Sequence, residues 1–289
     1  MMKESLPELK EPHALAMLRP WVDSGSVGSL VLGQLESHFH ATELGRLERP
    51  GTFFDFTRYR PNYYFKEGRR EIEVPNATVS YAVTGGAHDL VFFHLLEPHM
   101  LGELYAESVL GVLEKLGVKR YCLVGSMYDL VPHTRPLIVS GMASDPALEE
   151  EMRRLNVKSS TYEGPTSIAV LVSMEGLKRN MDAMSLIVHL PQYAQMDENH
   201  IGQHCLLDII QMIYGFKIDL TQIAGKAESQ RRQLDVAVEG SPEARQIVRQ
   251  LEARMDAQAK EGGKGAAVSP LSPEIEKFLR EVDKKFGEE

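Results

Sequence analysis

Several polar side chains follow a short apolar run near the middle of the chain. Residues 121–124 are all apolar and end at Gly125-Ser126, which is typical of a strand buried on both faces of a sheet. Because sites in open α/β sheets usually lie at the carboxyl ends of such strands, we expect a pocket at this point. The polar residues that precede the next apolar run, at residues 137–139, are Ser126, Tyr128, Asp129, His133 and Arg135.

The predicted ligand site draws on these residues and on the ends of two neighbouring segments. A carboxylate such as Glu97 could orient a hydroxyl group or accept a proton, although it could equally cap the next helix. Arg135 could hold an anion or pair with an acidic neighbour, Asp129 or Glu97. Ser126 lacks the G-x-S-x-G surroundings of a nucleophile and has no recognisable base beside it, so we predict no catalytic residue. The residues assigned to the ligand site are Glu97, Gly125, Ser126, Arg135 and Glu163.

Two further patterns admit both a functional and a structural interpretation. Backbone amides at residues 25–28 could cradle a phosphate, but the ending of a P-loop is missing and we favour a packing turn. His200, His204 and Asp208 lie on one face of a predicted helix, as zinc ligands can. The HExxH arrangement is absent there, and a polar helix face explains the spacing equally well. We therefore predict no metal and no cofactor.

Composition excludes several classes of partner. The 289 residues carry a net charge of -9, which does not favour nucleic acid or an anionic membrane surface. The chain has no run approaching the ~20 apolar residues of a membrane helix, and its N-terminus lacks the apolar core of a signal peptide. Cys122 and Cys205 lie in apolar surroundings, which is typical of reduced thiols. These features predict a soluble, cytoplasmic protein.

The order of apolar segments predicts an α/β fold. We interpret the apolar runs at residues 90–96, 121–124, 167–174 and 184–190 as buried strands that alternate with helices. Alternation of this kind is typical of a mostly parallel sheet with helices on both faces, which is a three-layer α/β/α arrangement. Residues 70–75 and 78–84 alternate polar and apolar side chains around Asn76-Ala77 and predict a hairpin.

The last third of the chain is more charged and predicts a separate unit. We place an α/β/α core domain at residues 14–224 and a helical extension at 225–289, with a flexible linker at 262–273. The final predicted helix, at residues 274–286, has one apolar face. Either this domain or a neighbouring subunit must cover that face, which comprises Ile275, Phe278, Leu279, Val282 and Phe286.

Several short motifs occur in a fixed order between residues 15 and 220. In chain order they are residues 21–28, Arg60-Pro61, Glu97-Pro98, Val124-Gly125, Arg135-Pro136, residues 162–165 and residues 191–193. Together they resemble the proteasome assembly chaperone family of the second-subunit type. The helical tail after Gly225 resembles the variable extension of bacterial members.

The resemblance implies an α/β/α fold related to nucleoside phosphorylases, usually assembled as a homo-oligomer, with trimers among bacterial members. Relatives in eukaryotes and some archaea are non-enzymatic chaperones for proteasome rings. Members that dock on proteasomes can end in a hydrophobic residue, a tyrosine and any residue, whereas this chain ends at residues 286–289 with FGEE. The sequence therefore does not favour a proteasome as the partner.

Two functions follow as expectations. The first is a non-enzymatic, assembly-chaperone-like or protein-interaction protein that acts as a homo-oligomer, with a homotrimer favoured. The alternative is a protein that binds a small, nucleoside-like molecule, or a hydrolase- or phosphorylase-type enzyme, with its pocket at the carboxyl ends of the strands.

Overall fold

The computed structural model describes residues 6–260 and contains a central eight-stranded sheet with helices on both faces. A separate two-stranded ribbon, β3–β4, lies outside that sheet. The strands are β1 His13–Arg19, β2 Thr42–Arg46, β3 Asn62–Lys66, β4 Arg69–Glu73, β5 Thr78–Ala82, β6 Leu90–Leu96, β7 Arg120–Asp129, β8 Val139–Ala143, β9 Val157–Ser159 and β10 Asp182–Pro191. The helices are α1 Val27–His38, α2 Gly102–Lys115, α3 Pro146–Arg154, α4 Ile168–Lys178, α5 His200–Tyr214, α6 Thr221–Glu239 and α7 Pro242–Lys260.

The central sheet is mixed. Its strand order is β2-β5-β6-β1-β7-β10-β8-β9. Among the described strands of this sheet, β1 pairs in parallel with β6 and β7, β7 with β10, and β8 with β9. The pairs β2–β5, β5–β6 and β8–β10 are antiparallel. Strands β6, β1, β7 and β10 thus form a parallel centre, which antiparallel pairs flank on both sides, and the edge strand β9 is parallel to β8.

Helices cover both faces of the parallel centre, so the predicted three-layer α/β fold is confirmed. Alternate residues of β1 belong to two different hydrophobic cores. Leu15 and Met17 pack in the core that also contains apolar residues of α1 and α5. Ala14 and Ala16 pack in the core formed with α2 and α4. Burial on both faces explains why the central strands are continuous apolar runs. The relation to nucleoside phosphorylases stays a prediction.

The predicted hairpin around Asn76-Ala77 is wrong. Strand β4 pairs with β3, and the chain reverses at Glu67 and Gly68, which both have positive φ angles (50° and 77°). Positive φ at both central residues is the geometry of the tight turn that suits the twist of a hairpin, and glycine adopts it without strain. Asn76 instead bridges to the edge of the sheet. Its side chain accepts a hydrogen bond from the Leu47 amide and donates one to the Leu47 carbonyl.

The apolar run at residues 167–174 is a helix and not the predicted strand. It forms most of α4, which packs against α2 and crosses β7 and β10. A short apolar run cannot distinguish a buried strand from a buried helix by periodicity alone. Strand β8 follows the run at residues 137–139 and pairs antiparallel with β10.

The charged helices of the C-terminal third pack on the core. Helix α7 buries Ile247 and Leu251 against Leu130 and Tyr193. The predicted division at residue 224 falls inside α6 and stays a prediction, and the predicted linker and final helix lie outside the described residues. Within residues 6–260, each helix is too short or too polar to span a membrane.

Candidate functional site

At the carboxyl end of β7, the side chains on the two faces of the strand have different hydrogen-bond partners. Successive side chains of a strand point to opposite faces, so Ser126 and Tyr128 lie on one face, with Gly125, Met127 and Asp129 on the other. Ser126 is fully buried, and its Oγ donates a hydrogen bond to the carbonyl oxygen of Ser24 at 2.6 Å. The predicted ligand residue Ser126 therefore anchors the turn that precedes α1.

The opposite face brings together a serine, a histidine and an aspartate from three adjacent strands. Ser140 Oγ lies 2.7 Å from Nε2 of His189, and Nδ1 of His189 lies 2.8 Å from Oδ2 of Asp129. Strand register explains the meeting, because His189 pairs with Met127 in β7 and Ser140 pairs with Ile187 in β10. Paired residues of neighbouring strands point to the same face, so all three side chains point to one face.

Electrostatics determine how the protons are arranged in this cluster. Burial by itself raises the pKa of Asp129, but hydrogen bonds from His189 and the Leu130 amide, with the charges of His189 and Arg254, outweigh it. The pKa of Asp129 therefore lies below its ordinary value, and the group is a carboxylate at neutral pH. A carboxylate can only accept, so Nδ1 of His189 carries a proton; in the neutral form of the ring, Nε2 is then free to accept the proton of Ser140.

The other residues assigned to the ligand site have separate neighbours. Glu97 Oε1 accepts the Ile168 amide at 3.2 Å, at the start of α4, and burial raises the pKa of Glu97. Gly125 lies so close to Val22 that an added Cβ would overlap the Val22 carbonyl oxygen.

Arg135 binds neither of the acidic residues considered from the sequence. Its guanidinium donates to Glu252 at 3.1 Å and to Asp256 at 2.9 Å, both on α7. Glu163 lies exposed in the loop before α4. That Glu97, Gly125, Ser126, Arg135 and Glu163 share a ligand stays a prediction.

Sequence reasoning missed Ser140 and His189. They are 49 residues apart in sequence, and His189 and Asp129 are 60 apart, so spacing along the chain carries no signal of their contact. One signal was available: a histidine interrupts the otherwise apolar stretch from Leu186 to Leu190. A histidine within a strand that is otherwise apolar indicates that its side chain has polar neighbours on that face of the sheet.

A cleft of about 1390 Å³ opens at the carboxyl ends of β1 and β6, between the sheet edge and the β3–β4 ribbon. These strands are adjacent and parallel, and the helices that follow them, α1 and α2, lie on opposite faces. Such a switch point is where open α/β sheets usually bind ligands. One wall holds Glu36, which accepts hydrogen bonds from Ser80 and, at 2.8 Å, from His94 Nε2.

The two remaining sequence patterns have structural roles in the described residues. Oδ1 and Oδ2 of Asp23 accept hydrogen bonds from the Ser29 amide at 3.1 Å and the Ser29 hydroxyl at 2.6 Å. The favoured packing turn at residues 25–28 therefore has a carboxylate beside its helix. His204 pairs with Asp208 at 3.0 Å. Within residues 6–260, groups of three or more potential metal ligands do not occur.

An exposed apolar surface lies on one face of the β3–β4 ribbon. Tyr63, Phe65 and Ile72 are 59%, 67% and 65% exposed. Tyr63 pairs with Ile72, and Phe65 pairs with Arg70, so these side chains share one face. The Arg70 guanidinium lies 5.7 Å from the Tyr63 ring centre and 5.4 Å from that of Phe65. We name these four residues the ribbon face.

Comparison with known proteins assigns the family. A sequence profile of the PAC2 family matches residues 17–238. The chain therefore belongs to the PAC2 family, and the resemblance to proteasome assembly chaperones predicted from its motifs is confirmed. No curated protein sequence matches the chain significantly.

Solved structures of relatives share the fold. A PAC2 family protein from Streptomyces avermitilis is 26% identical with a TM-score of 0.74, covering 82% of this chain and 99% of that chain. A proteasome-assembly chaperone homologue from Mycobacterium tuberculosis is 23% identical with a TM-score of 0.72, covering 81% and 99%. A protein of unknown function from Corynebacterium glutamicum is 18% identical with a TM-score of 0.79, covering 90% and 98%.

Proposed function

We propose that this protein is a chaperone-like interaction protein that works as a homo-oligomer, with a homotrimer as the favoured state. Membership of the PAC2 family supports the chaperone-like role. So does the similarity to the mycobacterial proteasome-assembly chaperone homologue and to PbaB of Pyrococcus furiosus, which is described as an archaeal proteasome activator (17% identity, TM-score 0.62). A cytoplasmic location fits the two cysteines, which are both free, and cell fractionation would test it.

The observation that carries this proposal is the ribbon face. Three large apolar side chains and an arginine lie together on a two-stranded ribbon, and every residue of both its strands is exposed. Exposed apolar groups of this kind mark interaction sites, where aromatic residues and arginine are enriched. An isolated two-stranded ribbon is marginally stable in water, so a neighbouring subunit that packs on it would also stabilise it.

The test replaces the apolar residues of the ribbon face. We expect the triple variant Tyr63→Ser, Phe65→Ser, Ile72→Ser to have a lower assembly mass than the wild type in native mass spectrometry. The thermal unfolding of the isolated subunit should be nearly unchanged, because these side chains are already exposed.

Val236 on α6 provides a matched control, since it is an equally exposed apolar residue outside the ribbon. Val236→Ser should retain the wild-type mass. A triple variant that keeps the wild-type mass and its co-purifying proteins would refute the role of the ribbon face. Protein isolated gently from its own cells would identify those partners, and a proteasome subunit among them would overturn the expectation drawn from the C-terminal sequence.

The cleft beside β1 and β6 favours a second candidate function, which is binding of a small polar molecule such as a nucleoside. Its wall offers the Glu36 and His94 pair, and its volume of about 1390 Å³ leaves room for a ligand of that size. The same native mass spectra should then show a discrete small-mass adduct that His94→Ala removes. Binding that is equal in wild type and His94→Ala would exclude this site.

A further inference from the structure

We propose that Ser140, His189 and Asp129 form a nucleophile, base and carboxylate that together hydrolyse esters of apolar acids. This activity is independent of the chaperone-like role, which uses a different surface. The proposal rests on the order in which the three groups contact one another. The imidazole lies between the hydroxyl and the carboxylate, 2.7 Å from the first and 2.8 Å from the second. That constellation activates serine in proteins of unrelated fold, where it is recognised by geometry and not by sequence position.

Rigid elements hold the three side chains. Each belongs to a strand of the central sheet, β7, β8 or β10, and β10 pairs with both of the others. Sites built on strands keep their geometry more closely than sites built on loops. The hydrogen bonds therefore form without a conformational change, and His189 is already oriented with Nε2 towards the serine hydroxyl.

The serine is accessible, and its surroundings indicate the substrate class. Ser140 is half-buried, whereas Ser126 on the opposite face is fully buried. Met127 stands beside His189, and Met142 lies two residues after Ser140 on the same face; they are 38% and 49% exposed. Methionine side chains are flexible and apolar, and they adapt to ligands of varied shape. Apolar side chains beside the histidine and near the serine favour an ester with an apolar acyl group.

The reaction needs only the ester and water. Ser140 Oγ attacks the carbonyl carbon while its proton moves to Nε2 of His189, and the resulting imidazolium returns that proton to the departing alcohol as the ester C–O bond breaks. Water then attacks the acyl group on Ser140, gives a proton to Nε2, and releases the carboxylic acid as Ser140 regains its proton. Asp129 stays ionised throughout and stabilises the imidazolium.

Helix α7 adds a positive charge beside the carboxylate. Arg254 acts on Asp129 through its charge, and within residues 6–260 its buried Nη1 has no hydrogen-bond partner. Glu252 and Asp256, which flank Arg254 in sequence, both bind Arg135. These contacts hold the turn of α7 that carries Arg254.

The test uses the full chain and a fluorophosphonate probe, which forms a covalent bond only with an activated serine. We expect peptide mapping by mass spectrometry to find the label on Ser140 of the wild type. Ser140→Ala should abolish it, and His189→Ala should slow it by about 100-fold or more, the typical contribution of a general base. Hydrolysis of p-nitrophenyl butyrate should fall in parallel.

Ser80→Ala is the matched control, because Ser80 also contacts a carboxylate and histidine cluster. It should label at the wild-type rate. A wild-type protein that remains unlabelled, or that carries its label on another serine, would overturn the proposal without requiring any variant to fold. Equal hydrolysis by wild type and a folded Ser140→Ala protein would overturn it as well. The labelling and hydrolysis experiments do not depend on the assembly mass. A protein without esterase activity could therefore still assemble as proposed, and the two proposals can fail separately.

Discussion

Within residues 6–260, two clusters combine a serine, a histidine and a carboxylate, and they differ in which of the three side chains lies between the other two. In the cleft beside β1 and β6, the carboxylate of Glu36 is central and accepts hydrogen bonds from both Ser80 and His94. The serine proton is therefore held by a carboxylate, and the imidazole does not contact the hydroxyl oxygen. This arrangement satisfies three polar groups and leaves the serine unactivated.

At the other side of the sheet the imidazole is central. His189 contacts Ser140 through one ring nitrogen and Asp129 through the other. A base is thereby placed against the hydroxyl, and a carboxylate orients that base. The comparison teaches that composition alone does not specify reactivity, because the connectivity of the hydrogen bonds decides which group receives the serine proton.

Replacing the carboxylate of each cluster by an amide should give the largest difference in labelling rate between the two clusters. We expect Asp129→Asn to lower the rate of fluorophosphonate labelling by about 100-fold or more, because an amide can no longer fix the reactive tautomer of His189. Glu36→Gln makes the same chemical change in the other cluster and should label at the wild-type rate. Similar losses in both variants, measured by gel fluorescence over time, would show that the two clusters do not differ as described.

Replacing a glycine near each cluster by alanine should change the free energy of unfolding in opposite directions. A Cβ at Gly141, next to Ser140, would overlap the Ser185 carbonyl oxygen, so Gly141→Ala should lower the free energy of unfolding by about 1–3 kcal/mol. Gly33 lies on the exposed side of α1, the helix that carries Glu36, and in residues 6–260 an added Cβ meets nothing within 4 Å besides its chain neighbours and the backbone of its own helix. Gly33→Ala should raise the free energy of unfolding by up to ~1 kcal/mol. Urea denaturation measures both, and a stable Gly141→Ala protein would contradict the tight packing around Ser140.

The smallest expected effect is the dependence of stability on pH that comes from Glu36. Burial by itself raises the pKa of Glu36, but hydrogen bonds from His94 and Ser80 and the attraction of His94 outweigh it, so the pKa lies below its ordinary value of 4.5. The unfolded chain then takes up the proton more readily than the folded chain. The contribution of Glu36 to stability is complete above about pH 4.5 and is lost as the pH falls through the folded-state pKa.

We therefore expect Glu36→Gln to be less stable than wild type near neutral pH by about 1 kcal/mol, a typical net value for such hydrogen bonds. The difference should shrink as the pH is lowered below 4.5. Urea denaturation at several pH values measures it. A difference that stays constant from neutral pH into this acidic range would show that Glu36 is not stabilised as an anion.

The local pattern of apolar residues predicted several strands correctly. It failed where a buried strand and a buried helix have the same apolar pattern. The strands β6 and β10 lie within a few residues of the expected runs at 90–96 and 184–190, because a continuous apolar run is typical of a strand buried on both faces of a sheet. The run at residues 167–174 has the same pattern and is a helix, α4. The ribbon β3–β4 was misassigned because Glu67 supplies one of the two positive φ angles of its turn, and glutamate is not typical of that position.

The ligand site expected at the carboxyl end of β7 stays a prediction. Of the polar residues considered there, the proposed catalytic cluster includes Asp129, whereas Ser126 faces the opposite side of the sheet. Arg135 binds α7, a helix more than a hundred residues further along the chain, as their separation of 117 residues shows. Contacts between residues so far apart in sequence depend on how whole elements pack, and a short motif does not predict them.

The sequence by itself determined the α/β class, the family and the buried apolar run at residues 121–124, which lies within β7, because apolar patterning and motif order are local properties. The tertiary structure alone decided that β10 lies between β7 and β8. That order brings His189 within hydrogen-bond distance of both Asp129 and Ser140. Strand order depends on long-range packing of whole elements, so the reactive arrangement exists only in the folded chain.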